Sequence, residues 1–307
     1  MCTALSLGGK RHWFGRTLDL ECSYGEEIVL MQRRRALCFR RHATLRDHPA
    51  ILGVAHVSEG IPLYYDAVNE HGLAMAALRF PHYAVYGEAG AESVASFELI
   101  PYLLGQCRSL AEARRLLLWL TVDGDSFSDA LPASPLHWML ADRTGAIVIE
   151  PTEDGLRIHD AREGVLTNAP PYPMQSVNPA LFVGGGAPTA DAYSRGLEAF
   201  GLPGDFSSPS RFARMAYIRQ RWEGEPSPSS VFHMLDGVSQ PLGCTRTEDG
   251  RAICTQYASV YDTEEGICYL TTYACRRIRA VSMRMHQIGG DGLLRFPSEA
   301  EEDILML

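Results

Sequence analysis

Residues 1–20 decide the reading: Met1-Cys2-Thr3-Ala4-Leu5-Ser6-Leu7, then Gly8-Gly9-Lys10, then His12-Trp13-Phe14-Gly15-Arg16-Thr17-Leu18-Asp19-Leu20. Two apolar runs joined by a Gly-Gly turn signal predict strands over 2–7 and 12–20 that pair with one another. That pairing brings Arg16 and Asp19 beside Cys2. A small side chain at position 2 favours removal of Met1, after which Cys2 carries both a thiol and a free α-amine. Their ordinary pKa values are about 8.5 and about 7.7–8.0, so one group can take the other's proton at neutral pH, directly or through a water. This is the nucleophile-plus-terminal-amine arrangement, which needs no histidine. A guanidinium beside the thiol favours thiolate, and a carboxylate there holds the ammonium in place. Each residue alone has a plainer explanation, an incidental small residue or a surface ion pair. Their joint placement on neighbouring strands points to chemistry.

Working outward, residues 2–80 read as β-rich. Strands are expected over 28–32 and 36–39, as a pair flanking the basic cluster Arg33, Arg34, Arg35, Arg40 and Arg41, and over the apolar run 73–80. A helix is expected over 93–107, kinked or divided by Pro101. A second opens at Ser109, with Glu112 completing a capping box and Leu110, Ala113, Leu116, Leu117 and Leu120 on one face. Strands over 136–141, 146–150 and 156–159 follow, then a Pro- and Gly-rich loop over 170–188. Helices are expected from Ser208, with Pro209 at the first helical position, through Trp222, and over 229–235. Strands return between 256 and 282. The alternation of strand and helix blocks fits an α+β layered sandwich, read as a single domain over 1–307.

Composition sets outer limits. The chain has 307 residues, 46% of them hydrophobic, and a net charge of -9. That is enough apolar material for a large core, and a charge balance that argues against nucleic acid as partner. The basic cluster reads as a solvated or subunit-contact face. No apolar run is long enough to span a bilayer, and residues 1–9 lack the pattern of a signal peptide, so the expected location is cytoplasmic. Eight cysteines without a C-x-x-C pair give neither a disulfide framework nor a zinc site. No metal or cofactor is expected. His137, in an apolar strand, reads as a core histidine rather than a base.

Eight blocks carry a resemblance over nearly the whole chain: Met1-Cys2-Thr3, Phe14-Gly15-Arg16-Thr17-Leu18-Asp19, Val68-Asn69-Glu70-His71-Gly72-Leu73, Leu136-His137-Trp138-Met139, Leu166-Thr167-Asn168, Leu202-Pro203-Gly204-Asp205-Phe206, Ser210-Arg211-Phe212, and Thr245-Arg246-Thr247 with Thr255-Gln256-Tyr257. In this order they resemble the choloylglycine hydrolase family of conjugated bile acid hydrolases and penicillin V acylases. The resemblance implies the αββα fold of N-terminal-nucleophile hydrolases, two stacked antiparallel sheets between helical layers. It implies Cys2 as nucleophile and its α-amine as base. Arg16, Asp19, Asn168 and Arg211 match the family's remaining catalytic positions: Asp19 to bind the amine, Arg16 and Arg211 to orient the thiolate, Asn168 to donate to the oxyanion. A cation as early in a helix as Arg211 is unfavourable for the helix dipole, which argues locally for another use.

One position departs from the family. Arg79-Phe80-Pro81 stands where bile acid hydrolases commonly carry Asn-Phe-Pro. Any residue but proline keeps the backbone N–H that donates to the oxyanion there, but Arg79 adds charge at the mouth of the site. By the same alignment Leu18, Ile61, Tyr65, Phe127, Leu131 and Leu136 would line an apolar acyl pocket. Ser194-Arg195-Gly196 looks like the loop of members that prefer glycine conjugates. The expected substrate is a small-molecule amide, a conjugated bile salt cleaved to bile acid plus glycine or taurine. A penicillin V or N-acyl homoserine lactone acylase with the same machinery is the alternative. The resemblance also implies a homo-oligomer, a tetramer.

Overall fold

The computed structural model describes residues 1–177, 199, 201–298 and 301–307. The first strands along the chain are β1 (Cys2–Leu7), β2 (Trp13–Leu20), β3 (Glu27–Met31), β4 (Ile51–Ser58), β5 (Ile61–Asn69) and β6 (Ala74–Arg79). Then come β7 (Ser93–Ala95), β8 (Thr121–Asp123), β9 (Leu136–Asp142), β10 (Gly145–Thr152), β11 (Gly155–Asp160) and β12 (Val165–Leu166). The last are β13 (Thr245–Arg246), β14 (Ala252–Asp262), β15 (Ile267–Thr272), β16 (Arg279–Ser282) and β17 (Leu293–Pro297). The described helices are α1 (Leu99–Gln106), α2 (Leu110–Leu117), α3 (Tyr172–Ser176), α4 (Ser208–Arg221) and α5 (Pro228–Asp236).

Among these residues two antiparallel sheets form, in the orders β12-β1-β2-β14-β15-β16, with β13 on β14, and β11-β10-β9-β6-β5-β4-β3-β17. Every residue of β1 and β2 is buried, the polar Thr3, Ser6, Arg16, Thr17 and Asp19 included, because the strands are covered on both faces. α4 and α5 lie on the first sheet and α1 and α2 on the second. One apolar core, with Leu5, Phe14, Leu52, Met139, Phe212 and Tyr261, fills the space around the first sheet. A second, with Ile51, Leu73, Leu103, Trp138 and Ile147, lies under α1 and α2. The result is the four-layer αββα sandwich.

Several local expectations need correction. Residues 36–39 form no strand. They make one isolated bridge, Leu37 with Leu45, and β3 pairs instead with β4 and β17. The reason is that Arg33 and Arg34 send their N–H groups to Ile288 and Gly290 carbonyls, which satisfies the backbone outside a hairpin. Residues 93–107 are not one broken helix. Ser93–Ala95 pairs in parallel with β8, a 3-10 turn covers Ser96–Glu98, and the helix begins only at Leu99. Pro101 therefore falls in the first turn, where its missing N–H is not needed. Ser109 caps α2 by accepting from Glu112 N at 3.3 Å, but the Glu112 carboxylate reaches the Arg108 N–H, so half of the expected capping box forms. Ser207, one residue before the expected start, caps α4. One helical turn, α3, occupies part of the stretch expected as loop.

Candidate active site

The β1–β2 register opposes Cys2 to Leu18 and Ala4 to Arg16. Because strand side chains alternate, Cys2, Ala4, Arg16 and Leu18 share one face, and Thr3, Thr17 and Asp19 take the other. On the far side of β1, β12 opposes Leu166 to Ala4, which carries Asn168 to the level of Cys2. Its Oδ1 accepts from Cys2 N at 2.7 Å and from Arg211 Nη2 at 2.7 Å. Arg211 is fully buried and reaches down from α4, also donating to the Cys2 carbonyl at 2.5 Å and to Thr3 Oγ1 at 2.7 Å. Burial lowers its pKa, and Asp19 and Cys2 oppose that loss. The ion pair with Asp205 that a surface arginine would make is not what holds it. Asp205 instead accepts from Ser207 N and Ser210 Oγ.

Asp19 meets Cys2 differently from the expectation. Its carboxylate, on the opposite face, accepts from Gln240 Nε2 and Thr255 Oγ1, each at 2.7 Å. Its backbone carbonyl accepts from the Met1 amine at 2.5 Å. Burial lowers the pKa of that amine, while Cys2 and Asp19 raise it. Arg16 shares the Cys2 face and is fully buried. It donates to the Tyr65 carbonyl at 3.2 Å and to Asp66 Oδ2 at 3.3 Å. Burial works against its charge, but Tyr257, Cys2 and Asp66 together hold its pKa above the ordinary value. Asp66 also accepts from Ser259 Oγ at 2.8 Å and from the Tyr257 and Tyr261 hydroxyls. This buried network between the sheets was not read from the sequence, nor were Gln240 and the role of Thr3 as an acceptor for Arg211. Thr255 stands in a block that was noticed, but without a role.

The backbone at Arg79 also reaches this cluster. Phe80 N donates to the Pro135 carbonyl, so Arg79, opposite Leu136, is a non-hydrogen-bonded position of the β6–β9 ladder. Its N–H and C=O both turn away from β9. The β5–β6 pairing ends at Ala76, so that side is open, and there the Arg79 carbonyl accepts from Asn168 Nδ2 at 2.8 Å. The Arg79 N–H points the same way. The Asn168 backbone is fixed in turn by Ser208 Oγ, at 2.9 Å from its N–H, and by Gln175 at its carbonyl.

Cys2 opens onto a cavity of about 330 Å³ whose lining includes Leu18, Tyr65, Phe127, Leu131, Leu136 and Arg79. Five of the six expected acyl-pocket residues are there. Ile61 is not: as the exposed first residue of β5 it faces a neighbouring cavity. Tyr64 and Tyr65 both line the pocket because β5 shifts register against β4 at this point. The Arg79 side chain is exposed, because β6 ends there, so no buried partner is needed to offset desolvation. Glu21, a conceivable partner, pairs with Arg251 at 3.2 Å. His137 is a core histidine, stacked on Phe80 and bonded to Glu150 at 3.1 Å and the Thr167 carbonyl at 2.8 Å. Ser194-Arg195-Gly196 lies outside the described residues. Among the described residues, no helix is long and apolar enough to cross a membrane.

Residues 2–296 match the family model of linear amide C–N hydrolases, choloylglycine hydrolase family. The chain is 39% identical to a bile salt hydrolase/transferase of Lactiplantibacillus plantarum, with 98% of each chain covered. Its structure is similar to that of a mutant conjugated bile acid hydrolase from Clostridium perfringens, with a TM-score of 0.93, 30% identity and full coverage of both chains. It is also similar to a penicillin V acylase from Agrobacterium tumefaciens, with a TM-score of 0.77 at 18% identity, covering 96% of this chain and 90% of that one. The second likeness is one of fold.

Proposed function

The chain belongs to the choloylglycine hydrolase family of linear amide C–N hydrolases, and from that premise we propose that it hydrolyses conjugated bile salts to free bile acid and glycine or taurine. The observation that carries the reading is the convergence of Cys2, Asn168, Arg211 and the Arg79 backbone at one end of an apolar cavity. With Met1 removed, the Cys2 thiolate attacks the amide carbonyl. The second Asn168 amide proton and the Arg79 N–H stabilise the oxyanion, a contribution of several kcal/mol when donors are preorganised. The Cys2 α-amine passes the proton to the departing nitrogen, and the acyl thioester is then hydrolysed by water that the same amine deprotonates. Asp19, braced by Gln240 and Thr255, sets the field at the amine; Arg16 and Arg211 orient the thiolate. The chain acts as one domain, in the cytoplasm and as a homotetramer.

The test is a side-by-side assay of glycocholate, taurocholate, penicillin V and an acyl homoserine lactone. Bile salts should give the highest kcat/KM, with glycocholate ahead of taurocholate. A penicillin V or lactone preference would move the acyl specificity elsewhere. An uncleavable N-terminal extension should abolish turnover of all four, because it turns the base into an amide. Activity that survives the extension sinks the amine-as-base mechanism.

A further inference from the structure

Next to the acyl pocket lies a second cavity, of about 820 Å³, with an apolar part that includes Leu37, Phe39, Ile61 and Pro101 and with charged residues, Arg34, Arg35 and Glu59 among them, elsewhere in its lining. Leu63, Phe97 and Phe127 line both cavities, so these three side chains are the wall between them. Phe97 and Phe127 meet edge to face, with ring centroids 5.4 Å apart. One cation from the basic cluster fastens the pair. The Arg40 guanidinium lies 5.3 Å from the centroid of the Phe97 ring, and its Nη2 donates to the Phe127 carbonyl at 2.8 Å. The Arg40 backbone N–H is tied to Glu98, next to Phe97, at 2.9 Å. Arg41 anchors the root of the same loop through Asp123 at 3.0 Å and Asp125 at 2.5 Å. A surface arginine pair normally contributes little. These two hold the loop before β9, whose Phe127 and Leu131 form part of one wall of the catalytic pocket.

We propose that the Phe97–Phe127 pair, clamped by Arg40, is a partition that sets how long an acyl group the enzyme accepts, and that the cavity behind it takes the distal end of a long flexible acyl chain once the partition opens. This rests on the proposed amide hydrolysis at Cys2 and extends it to N-acyl amino acids with linear chains. The position of Ile61 fits: only an acyl group that passes the partition meets it. Each methylene newly buried against apolar side chains is worth up to roughly fourfold in affinity, so an opened partition should show as a shift in the chain-length profile rather than as a uniform change.

The experiment compares N-hexanoyl-, N-decanoyl- and N-hexadecanoyl-glycine, with glycocholate as reference. Phe127→Ala and Phe97→Ala should raise kcat/KM for the hexadecanoyl substrate relative to the hexanoyl one by at least about tenfold. Arg40→Met, which keeps length but loses the hydrogen bond and the cation–π contact, should shift the profile the same way by less, and Arg40→Lys by less again. Adding Ile61→Trp to Phe127→Ala, which refills the second cavity from its far side, should take the gain away. Equal losses at every chain length, or an unchanged profile, overturn the partition. Calorimetric titration of decanoate and hexadecanoate into Cys2→Ala and Cys2→Ala/Phe127→Ala reads the partition without the chemistry. If no amide in the series is hydrolysed but Phe127→Ala tightens hexadecanoate selectively, the proposed reaction fails and the partition stands; if it does not, the partition fails.

Discussion

At the scale of single residues, Asn168 has contacts beyond the oxyanion donation proposed for it. Its Oδ1 is also the acceptor for buried Arg211 and for Cys2 N. Asn168→Ala should lower kcat by roughly a hundredfold or more with a smaller change in KM. An unchanged kcat would place the oxyanion site elsewhere. Asp66 belongs to the same argument although no sequence motif marked it. Asp66→Asn leaves Arg16 buried without its counter-ion, and losing one partner of such a pair costs about 3–5 kcal/mol. Urea unfolding should show that loss; a change within about 0.5 kcal/mol would mean that the Tyr65 carbonyl and the Tyr257 hydroxyl hold Arg16 without the carboxylate. For Arg79, exposed at the pocket mouth, the expectation is that Arg79→Ala raises KM for glycocholate more than for an uncharged amide of the same steroid, and more at low salt than at high. Equal changes for both amides remove Arg79 as a substrate anchor, and restored turnover in Arg79→Asn would make it a steric plug. Cys2, Arg16, Asp19, Asn168 and Arg211 could be singled out because they fall in dense, ordered blocks, and Cys2, Asn168 and Arg211 do meet in the fold. Asp66 and Gln240 could not be, because an isolated polar residue reveals its partner only when the chain returns from far away, as Gln240 does to Asp19.

At the scale of elements, legibility followed how local the determinants are. β1 was read to the residue and β2 to within one, because a two-residue glycine signal and apolar runs fix a hairpin without outside help. Gly15 in β2 shows the tertiary half of that specification: a Cβ there would lie 3.2 Å from Leu235 of α5 and 3.3 Å from the Ser259 carbonyl. The strand-like stretch at 36–39 failed because it makes only the Leu37–Leu45 bridge, while Arg33 and Arg34 before it are drawn to the carbonyls of residues 288 and 290, far beyond a local window. Residues 51–69, read only as part of a β-rich half, hold β4 and β5, whose shifted register sets both Tyr64 and Tyr65 against the acyl pocket. The start of α2 was readable because capping is local. Ser109→Ala should cost about 1 kcal/mol through loss of the bond to Glu112 N, seen as a lower denaturant midpoint at an unchanged slope. No loss of stability would mean that the Glu112 contact to Arg108 N carries the helix start alone.

At the scale of the whole molecule, the sandwich was legible as a class from its strand and helix blocks, while the chemistry depends on stacking that no window of sequence contains: Cys2 meets residue 168 along one sheet and residue 66 of the other through Arg16. The same stacking buries His12 at the turn end of the β1–β2 hairpin, the opposite end from Cys2. Its ring nitrogens bond Ser6 Oγ at 2.9 Å and Thr263 Oγ1 at 3.0 Å. Burial pushes its pKa down to about 4, with Asp142 acting to raise it and Arg219 to lower it. In the unfolded chain it titrates near 6.5. Between those values the unfolded state binds a proton that the folded state does not, so stability rises with pH across that window. The contribution is complete above about 6.5 and is lost progressively as the pH falls towards 4, by about 3 kcal/mol at most. Urea midpoints at pH 7.5, 6.0 and 4.5 should fall steeply in the wild type. His12→Gln should start lower, since one hydroxyl loses its partner, but fall less over the same range. Parallel slopes in the two proteins would assign the acid loss to carboxylates instead. Because the hairpin that holds His12 also holds Cys2, activity lost on acid incubation should follow the unfolding curve in wild type and shift with it in His12→Gln.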